Sequence, residues 1–463
     1  MASNADTPPE LLYGLNDRPP LPATLLAAVQ HMLASFIGII TPTLIIGGVL
    51  GLGSEVPYLI SMALIVSGVG TFIQARRIGP IGSGLVALQG TSFAFLSSIL
   101  AAGFIAKAKG GGPDEILSLI FGVCFFGAFI EIVLSQFLHK LKTFINPLVT
   151  GIVITTIGLS LIKVGITDLA GGFKAPDFGS LTNLALGGGV LLLIIIMNQS
   201  RNLYLRSGAI FFGLVIGFVV AMGLGKVDFS GLSKLDWFVL PVPFKYGISF
   251  DFGAFLPVAL IYLITAIESS GDLTATSMIS KEPIRGDVYR KRIRAGVLGD
   301  GVNSMLAAIF NTFPNTTFSQ NNGVIQLTGI ASRYVAYWVA GILVLLGLFP
   351  MIGGVFQQLP KPVLGGATLV MFGTVAAAGI RILATVNLDR RSMLIMAVSF
   401  GLGLGVAAVP DLFQHFPKMA QNVLGSAVTM GGLTAITLNT VLPGRAVEDA
   451  EPEADRASLA TSV

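Results

Sequence analysis

Long apolar runs alternate with short polar connections over most of the chain. Runs of roughly twenty residues, the length that crosses a bilayer as a helix, fall at 23–43, 56–75, 83–103, 116–138, 146–164, 183–200, 207–224, 254–271, 294–310, 316–331, 335–353, 362–384, 392–409 and 420–442. The pattern predicts an all-α polytopic membrane protein with 14 transmembrane segments. Two runs break it. VALQGTSFAF (86–95) and TTFSQNNG (316–323) place extended-favouring residues and then small polar ones where a plain helix is expected. Short strands are therefore predicted to break spans 3 and 10, with helices opening near Thr91 or Ser92 and near Gln320 or Asn321. Ser319 or Asn321 would cap the second. Two extended pieces meeting in mid-membrane satisfy each other's backbone, which lipid cannot do. The helix ends beside them offer unpaired N–H groups and partial positive charge to an acceptor-rich ligand. Fourteen spans divide as a 7+7 inverted repeat, because an odd half makes the second enter from the opposite side. Spans 3 and 10 correspond in that repeat. Broken helices at matching positions are how secondary transporters build a site.

Composition sharpens the class. The chain is 53% hydrophobic and 11% charged, against roughly 25% charged in soluble proteins, so it cannot cover a water-facing surface. Abundant glycine, 57 residues, suits close contact between membrane helices. The single Cys124 excludes an intrachain disulfide. A net charge of +4 is too small to point to nucleic acid, and the bases speak to topology instead. With the N-terminus cytosolic, the inside connections hold sixteen Lys and Arg against three acids, including KEPIRGDVYRKRIR at 281–294. The outside connections are near balance. This is the positive-inside asymmetry, with both termini cytosolic. Residues 1–22 are polar and proline-rich, lack the basic start and apolar core of a signal peptide, and are expected as a cytosolic tail. The acidic stretch 443–463 is expected to be disordered. The longest outside connection, 225–253, reads equally as a short surface hairpin or cap, or as an irregular loop.

Ionisable residues within spans are costly and point to function. Here they are His31, Glu131, Glu268 with Asp272 beside it, and Asp300. Glu268 and Asp272 are four apart, on one helix face. Glu268 is the leading functional candidate. Asp300, between two glycines, suits a proton-linked role. His31 reads equally as a satisfied interior histidine. Glu131 reads as structural, paired with a base near the cytosolic edge or facing another subunit. A flat polar ligand between the two helix ends would meet Gln320, which offers donor and acceptor in one plane. Glu268 would accept from ring N–H groups, and Phe93 would lie on a ring face. His31, His139 and His415 lack metal-ligand spacing, and no nucleophile–base pair is visible. No metal, no cofactor and no enzymatic activity are expected.

QNNGVIQLTG (320–329) resembles the signature of the nucleobase–ascorbate transporter family: Gln or Glu, Asn, any residue, Gly, four residues, Thr. The likeness extends along the chain through QHMLASFIGIITP, ALQGTSFAF, ESSGDLTATSMIS, GVLGDGVNSML and GLFPMIGGVFQQLPKPVLGGA. Within the family it is similar to bacterial xanthine and uric acid permeases, which are inner-membrane proteins. The resemblance implies a core domain of spans 1–4 (23–138) and 8–11 (254–353). It implies a gate domain of spans 5–7 (139–253) and 12–14 (354–442), a homodimer through the gate domains, and proton symport of a purine. By position it implies that Glu268 is the essential substrate carboxylate and that Gln320 binds the purine's polar edge, with Asn321 next to it affecting affinity. Phe93 would contact the base, Asp300 would be essential, Asp272 important without touching substrate, and His31 an indirect influence. Ser92 stands where xanthine-selective relatives resemble one another in having Asn. A smaller side chain there leaves space for the C8 oxygen of uric acid and favours xanthine plus uric acid over xanthine alone. Gln rather than Glu at 320 argues against a uracil carrier. An anion exchanger or channel of the same fold is the other transport reading.

Overall fold

A computed structural model describes residues 11–138, 146–229, 232–417, 420–421 and 424–443. The expectations for residues 1–10 and 444–463 and for His139, Lys140 and Lys142 lie outside the described residues. Sixteen α-helices and two short strands form the described chain. In chain order they are α1 (Leu21–Leu50), α2 (Val56–Arg76), β1 (Gln89–Thr91), α3 (Leu96–Ala108), α4 (Pro113–Leu134), α5 (Pro147–Leu169), α6 (Leu181–Asn198), α7 (Leu203–Ser207) and α8 (Ala209–Gly223). The second half holds α9 (Phe252–Ile279), α10 (Gly286–Ile309), β2 (Asn315–Thr317), α11 (Gln320–Thr328), α12 (Arg333–Gly347), α13 (Pro350–Gln357), α14 (Lys361–Leu383), α15 (Arg390–Ala408) and α16 (Ala427–Val441). A 3-10 turn, Phe93–Phe95, joins β1 to α3.

Every predicted span overlaps one of these helices. Eight are long and apolar enough to cross a membrane unaided: α1, α2, α4, α5, α6, α9, α14 and α15. The α12–α13 pair makes a ninth span, bent by 76° where a single span was expected. The bend has a local cause. Pro350 opens α13 and cannot continue the helix before it, and Phe349 is held extended at φ −110°, ψ 94°. α10 is long enough but carries the 290–294 bases in its first turns. The short members are the predicted broken ones, α3 and α11, together with α8 and α16.

Elements that correspond in the 7+7 pattern meet. β1 of span 3 pairs antiparallel with β2 of span 10, in the register Gln89–Thr317, Gly90–Thr316 and Thr91–Asn315. Span 5 (α5) runs along span 12 (α14) at backbone contact. A Cβ on Gly365 would sit 2.0 Å from Leu169 N, and one on Gly158 would sit 2.3 Å from Ala376 N. Small residues thus take the place of the hydrophobic drive that lipid removes.

Two connections depart from expectation. The 225–253 segment carries only a 3-10 turn at Leu232–Lys234 among its described residues, so the hairpin reading fails. It lies on the helices as the cap alternative has it, with Phe244 N donating to Ile309 O (2.7 Å) and Ser249 N to Ser118 O (3.1 Å). Its Lys245 ammonium stands 3.9 Å from the Tyr58 ring centroid and 3.2 Å from Glu55 Oε2. At the N-terminus, residues 11–18 are not a free tail. They run alongside residues 329–333, bonded backbone to backbone.

Candidate functional site

The strand pair is the frame of the site. Its backbone bonds continue at both ends, Ser92 N donating to Pro314 O (2.9 Å) and Phe318 N to Leu88 O (2.8 Å). The Ser92 amide is therefore committed inside the frame. What Ser92 offers a ligand is a small side chain, not the free N–H expected of this broken span. Polar side chains of three helices pin the frame. Asp300 of α10, fully buried, accepts from Gln74 Nε2 of α2 (2.6 Å) and from Thr317 Oγ1 (2.9 Å). Gln74 Nε2 also donates to Gly296 O, and its Oε1 accepts from Ser83 N. Asn303 donates to Gln89 Oε1 (3.2 Å), and Gln89 Nε2 donates to Thr317 Oγ1 (3.0 Å). Ser304 Oγ bonds Asn315 O (2.9 Å), and Ser269 Oγ lies 3.3 Å from Thr316 Oγ1. Within this buried network Asp300 is satisfied, whereas Asn303 Oδ1 and Asn315 Oδ1 have no partner among the described residues.

α11 opens at Gln320, as the sequence predicts. Its cap does not take the predicted form, because Ser319 has helical dihedrals and makes no capping bond. Asn321 does not cap either. Its side chain is turned into α1, where Nδ2 donates to His31 Nδ1 (2.9 Å) and Oδ1 accepts from Ser35 Oγ (2.9 Å). With Nδ1 accepting, the other nitrogen of neutral His31 carries the proton, and that Nε2 has no protein partner. His31 thus meets α11 through Asn321. On the other side, Thr276 of α9 donates to Asn322 Oδ1 (2.7 Å). The first turn of α11 is held between α1 and α9.

Gln320 is exposed, Glu268, Asp272 and Phe93 are partly so, and Ser92 is buried. Glu268 Oε2 is buried without a hydrogen-bond partner, whereas Asp300 is wholly engaged. The two carboxylates therefore differ in kind: one anchors the frame, the other has capacity left for a ligand. Phe93 meets Phe372 of α14 edge to face, centroids 5.7 Å apart. It sits where the first-half frame touches span 12. Glu131, 1% exposed, backs onto α10, since a Cβ on Gly301 would lie 2.9 Å from Ile132 N. Its Oε1 has no hydrogen-bond partner among the described residues, and its burial within the chain turns it away from another subunit.

Sequence reasoning missed Gln74, Gln89, Asn303 and Phe318. The two Gln and the Asn are neutral amides, which attract no notice in a search for charges within spans. Phe318 fills the space left by two glycines. A Cβ on Gly90 would sit 2.4 Å from its Cζ, and one on Gly38 of α1 2.9 Å from Cε2. The sequence signal was the pairing of QG with TTF in the two broken spans.

Residues 22–412 match the family model Xan_ur_permease, a permease family. The chain is 46% identical over 439 residues to xanthine permease XanP of Escherichia coli (strain K12), covering 94% of this chain and 95% of that one. It is 47% identical over 439 residues to xanthine permease XanQ of the same organism, covering 94% of each. In architecture it is similar to the transmembrane domain of the cyanobacterial bicarbonate transporter BicA. The TM-score is 0.54 at 12% identity, over 89% of this chain and 97% of that one. A likeness so low in identity speaks for the fold alone. The broken spans, the frame between them and the match along nearly all of its length place this chain in the Xan_ur_permease family of membrane permeases, the nucleobase–ascorbate transporter family that its motifs resemble.

Proposed function

We propose that this chain imports xanthine, and also uric acid, across a bacterial inner membrane by proton symport. The observation that carries the reading is Glu268. Its buried, unpartnered Oε2 lies on α9, the helix that holds the first turn of α11 through Thr276, and Gln320 at the start of α11 is exposed. A purine dione has ring N–H donors for the carboxylate and a carbonyl edge for the Gln320 amide, so the two groups bind complementary parts of one flat molecule. Phe93 supplies an apolar surface for the ring, and Ser92 leaves room at the C8 side. Asn321, held by His31 and Ser35, sets the pitch of the helix end. The two xanthine permeases at 46% and 47% identity support the substrate class.

Proton coupling follows from the division of labour between carboxylates. Glu268 keeps its charge to accept from the purine, and the proton neutralises Asp300, whose bonds from Gln74 and Thr317 rearrange to accommodate it. Asp272 supports Glu268 one turn further along α9. Spans 1–4 and 8–11 form the core domain, which moves against a gate domain of spans 5–7 and 12–14. The gate domains join two copies as a homodimer, with all termini cytosolic. The likeness to a bicarbonate transporter's membrane domain raises the anion-exchanger reading. A cluster of core carboxylates would repel a small inorganic anion, which disfavours it.

The test is uptake of radiolabelled xanthine in cells lacking their own purine carriers, with and without a protonophore, and in parallel direct uptake of radiolabelled uric acid. Protonophore-sensitive uptake of both is expected. Uptake of xanthine alone would remove uric acid from the reading. Uptake indifferent to the proton gradient would remove symport and favour exchange.

A further inference from the structure

The segment 11–18 was expected to be part of a free tail, yet it forms a strap at the cytosolic foot of the site. Leu12 N (2.8 Å) and Tyr13 N (3.1 Å) both donate to Gly329 O, Ala331 N donates to Tyr13 O (2.9 Å), and Arg333 N donates to Leu15 O (3.1 Å). Tyr13 and Ile330 form a parallel bridge. Ser332 Oγ bonds Asp17 O (2.6 Å), and the Arg18 guanidinium lies 4.9 Å from the Tyr334 ring centroid. Leu15 is 3% exposed. It packs in one cluster with Leu85 and Ala87, which lead into β1, with Ala266 and Leu273 on either side of Glu268 in α9, and with Ile293 and Val297 of α10.

The place of the strap matters because of what α11 is. A nine-residue helix is marginal by itself, and the link 329–332 that follows has no helical ladder to satisfy its backbone. The strap supplies those partners. It is also continuous with α1. Asp17 closes a turn with Gly14 N (2.8 Å), and Pro20 leads directly into Leu21. The element that grips the last turn of α11 through residues 12–17 is therefore the one that grips its first turn through His31 and Ser35.

We infer that residues 11–18 are a positioning element for substrate binding: together with His31 and Ser35 they clamp α11 at both ends and so fix where Gln320 meets the purine. The inference rests on the reading of α11 as the substrate half-helix. Its loss would be felt in affinity and in discrimination between purines, because pre-organisation is what holding a ligand group in place supplies.

The test uses the full chain carrying Leu15→Asp, read in two ways. Amide exchange over residues 320–333 is expected to speed by about ten-fold or more. KM for xanthine is expected to rise about five- to ten-fold, with maximal uptake per copy little changed and the ranking of competing purines altered. Unchanged exchange, or unchanged KM and ranking, would overturn the inference. Exchange needs no substrate, so a failure of the transport reading, seen as no uptake by the unaltered chain, is told apart from absence of the clamp. Should Leu15→Asp not reach the membrane, cysteines at Tyr13 and Ile330 in a Cys124→Ala chain provide the second arm. Bridging them is expected to leave uptake intact. Uptake abolished on bridging and restored by reductant would mean that the strap must release, and the fixed clamp would be wrong.

Discussion

Two buried carboxylates that look alike in the sequence separate by their partners. Asp300 receives Gln74 Nε2 and Thr317 Oγ1, whereas Glu268 Oε2 receives nothing. Removing charge should then act in different ways. Glu268→Gln keeps shape and cannot serve as a charged acceptor, so uptake should fall by about 100-fold or more with the protein still in the membrane. Asp300→Asn should lower the amount of folded protein as well as uptake, because it weakens the charge-assisted bonds that pin β2. Immunoblotted membrane abundance against uptake per copy separates the two, and Glu268→Gln with normal uptake would remove Glu268 from the site. Gln320→Ala should raise KM for xanthine about ten-fold at unchanged abundance. The two carboxylates were legible from sequence because charge within an apolar run stands out. The amides that hold Asp300 were not, since nothing local distinguishes Gln74 and Gln89 from polar residues at a membrane edge.

At the scale of the element, what folds as a broken span depends on fit between its pieces. The positions of the spans were readable because each apolar run is long, and the breaks at 86–95 and 316–323 were readable because extended-favouring and polar residues interrupt such runs. The strap could not be read: it is short, polar and proline-rich, and its bonds are made by backbone to a segment some 300 residues away. The fit itself yields a prediction. Gly90→Ala would put a Cβ 2.4 Å from the Phe318 ring, so the ring or the strand must move, and abundance and uptake should both drop. Adding Phe318→Leu should recover part of the loss, and a double mutant no better than Gly90→Ala would show that the clash is not the cause. At the outer end of α9, Asp251 caps the helix through Ala254 N (2.9 Å) and pairs with Lys109 Nζ (2.7 Å). Its bond from Lys109, with the cap, outweighs the opposing pull of burial and holds the carboxyl below its usual range. A depressed folded value means that this contribution to stability is present above the unfolded value near pH 4 and is lost as pH falls through the folded one. The gap in thermal stability between the unaltered protein and Asp251→Ala, measured in detergent, should be about 1 kcal/mol near pH 7 and shrink as pH drops below about 4.

For the whole molecule, the question is which contacts must break in a transport cycle. The strand frame lies within the proposed core domain and the strap is bonded to it at residues 329–333, so both travel with it. The contacts across the proposed seam are of another kind. On the side proposed to face outward, Gln357, at the end of α13, donates through Nε2 to Gly53 O, just beyond α1. Lys361 Nζ lies over Gly48, 2.9 Å from where a Cβ would stand, while pairing with Asp168 of α5 at 3.6 Å. Deeper, Phe93 rests on Phe372. These contacts join the two proposed domains at one end, while Gln320 is exposed. If import alternates between the two sides, the outer contacts must part to admit substrate. Cysteines at Gly53 and Gln357 in a Cys124→Ala chain, bridged by a short thiol-specific cross-linker, should therefore stop uptake completely, whereas the Tyr13–Ile330 bridge should not. A disulfide-bearing linker would let reductant restore it, which excludes damage to the fold. Uptake that persists through a complete bridge would mean that the α1 and α13 ends do not separate, and the moving boundary would have to lie elsewhere than between spans 1–4 with 8–11 and the remaining spans.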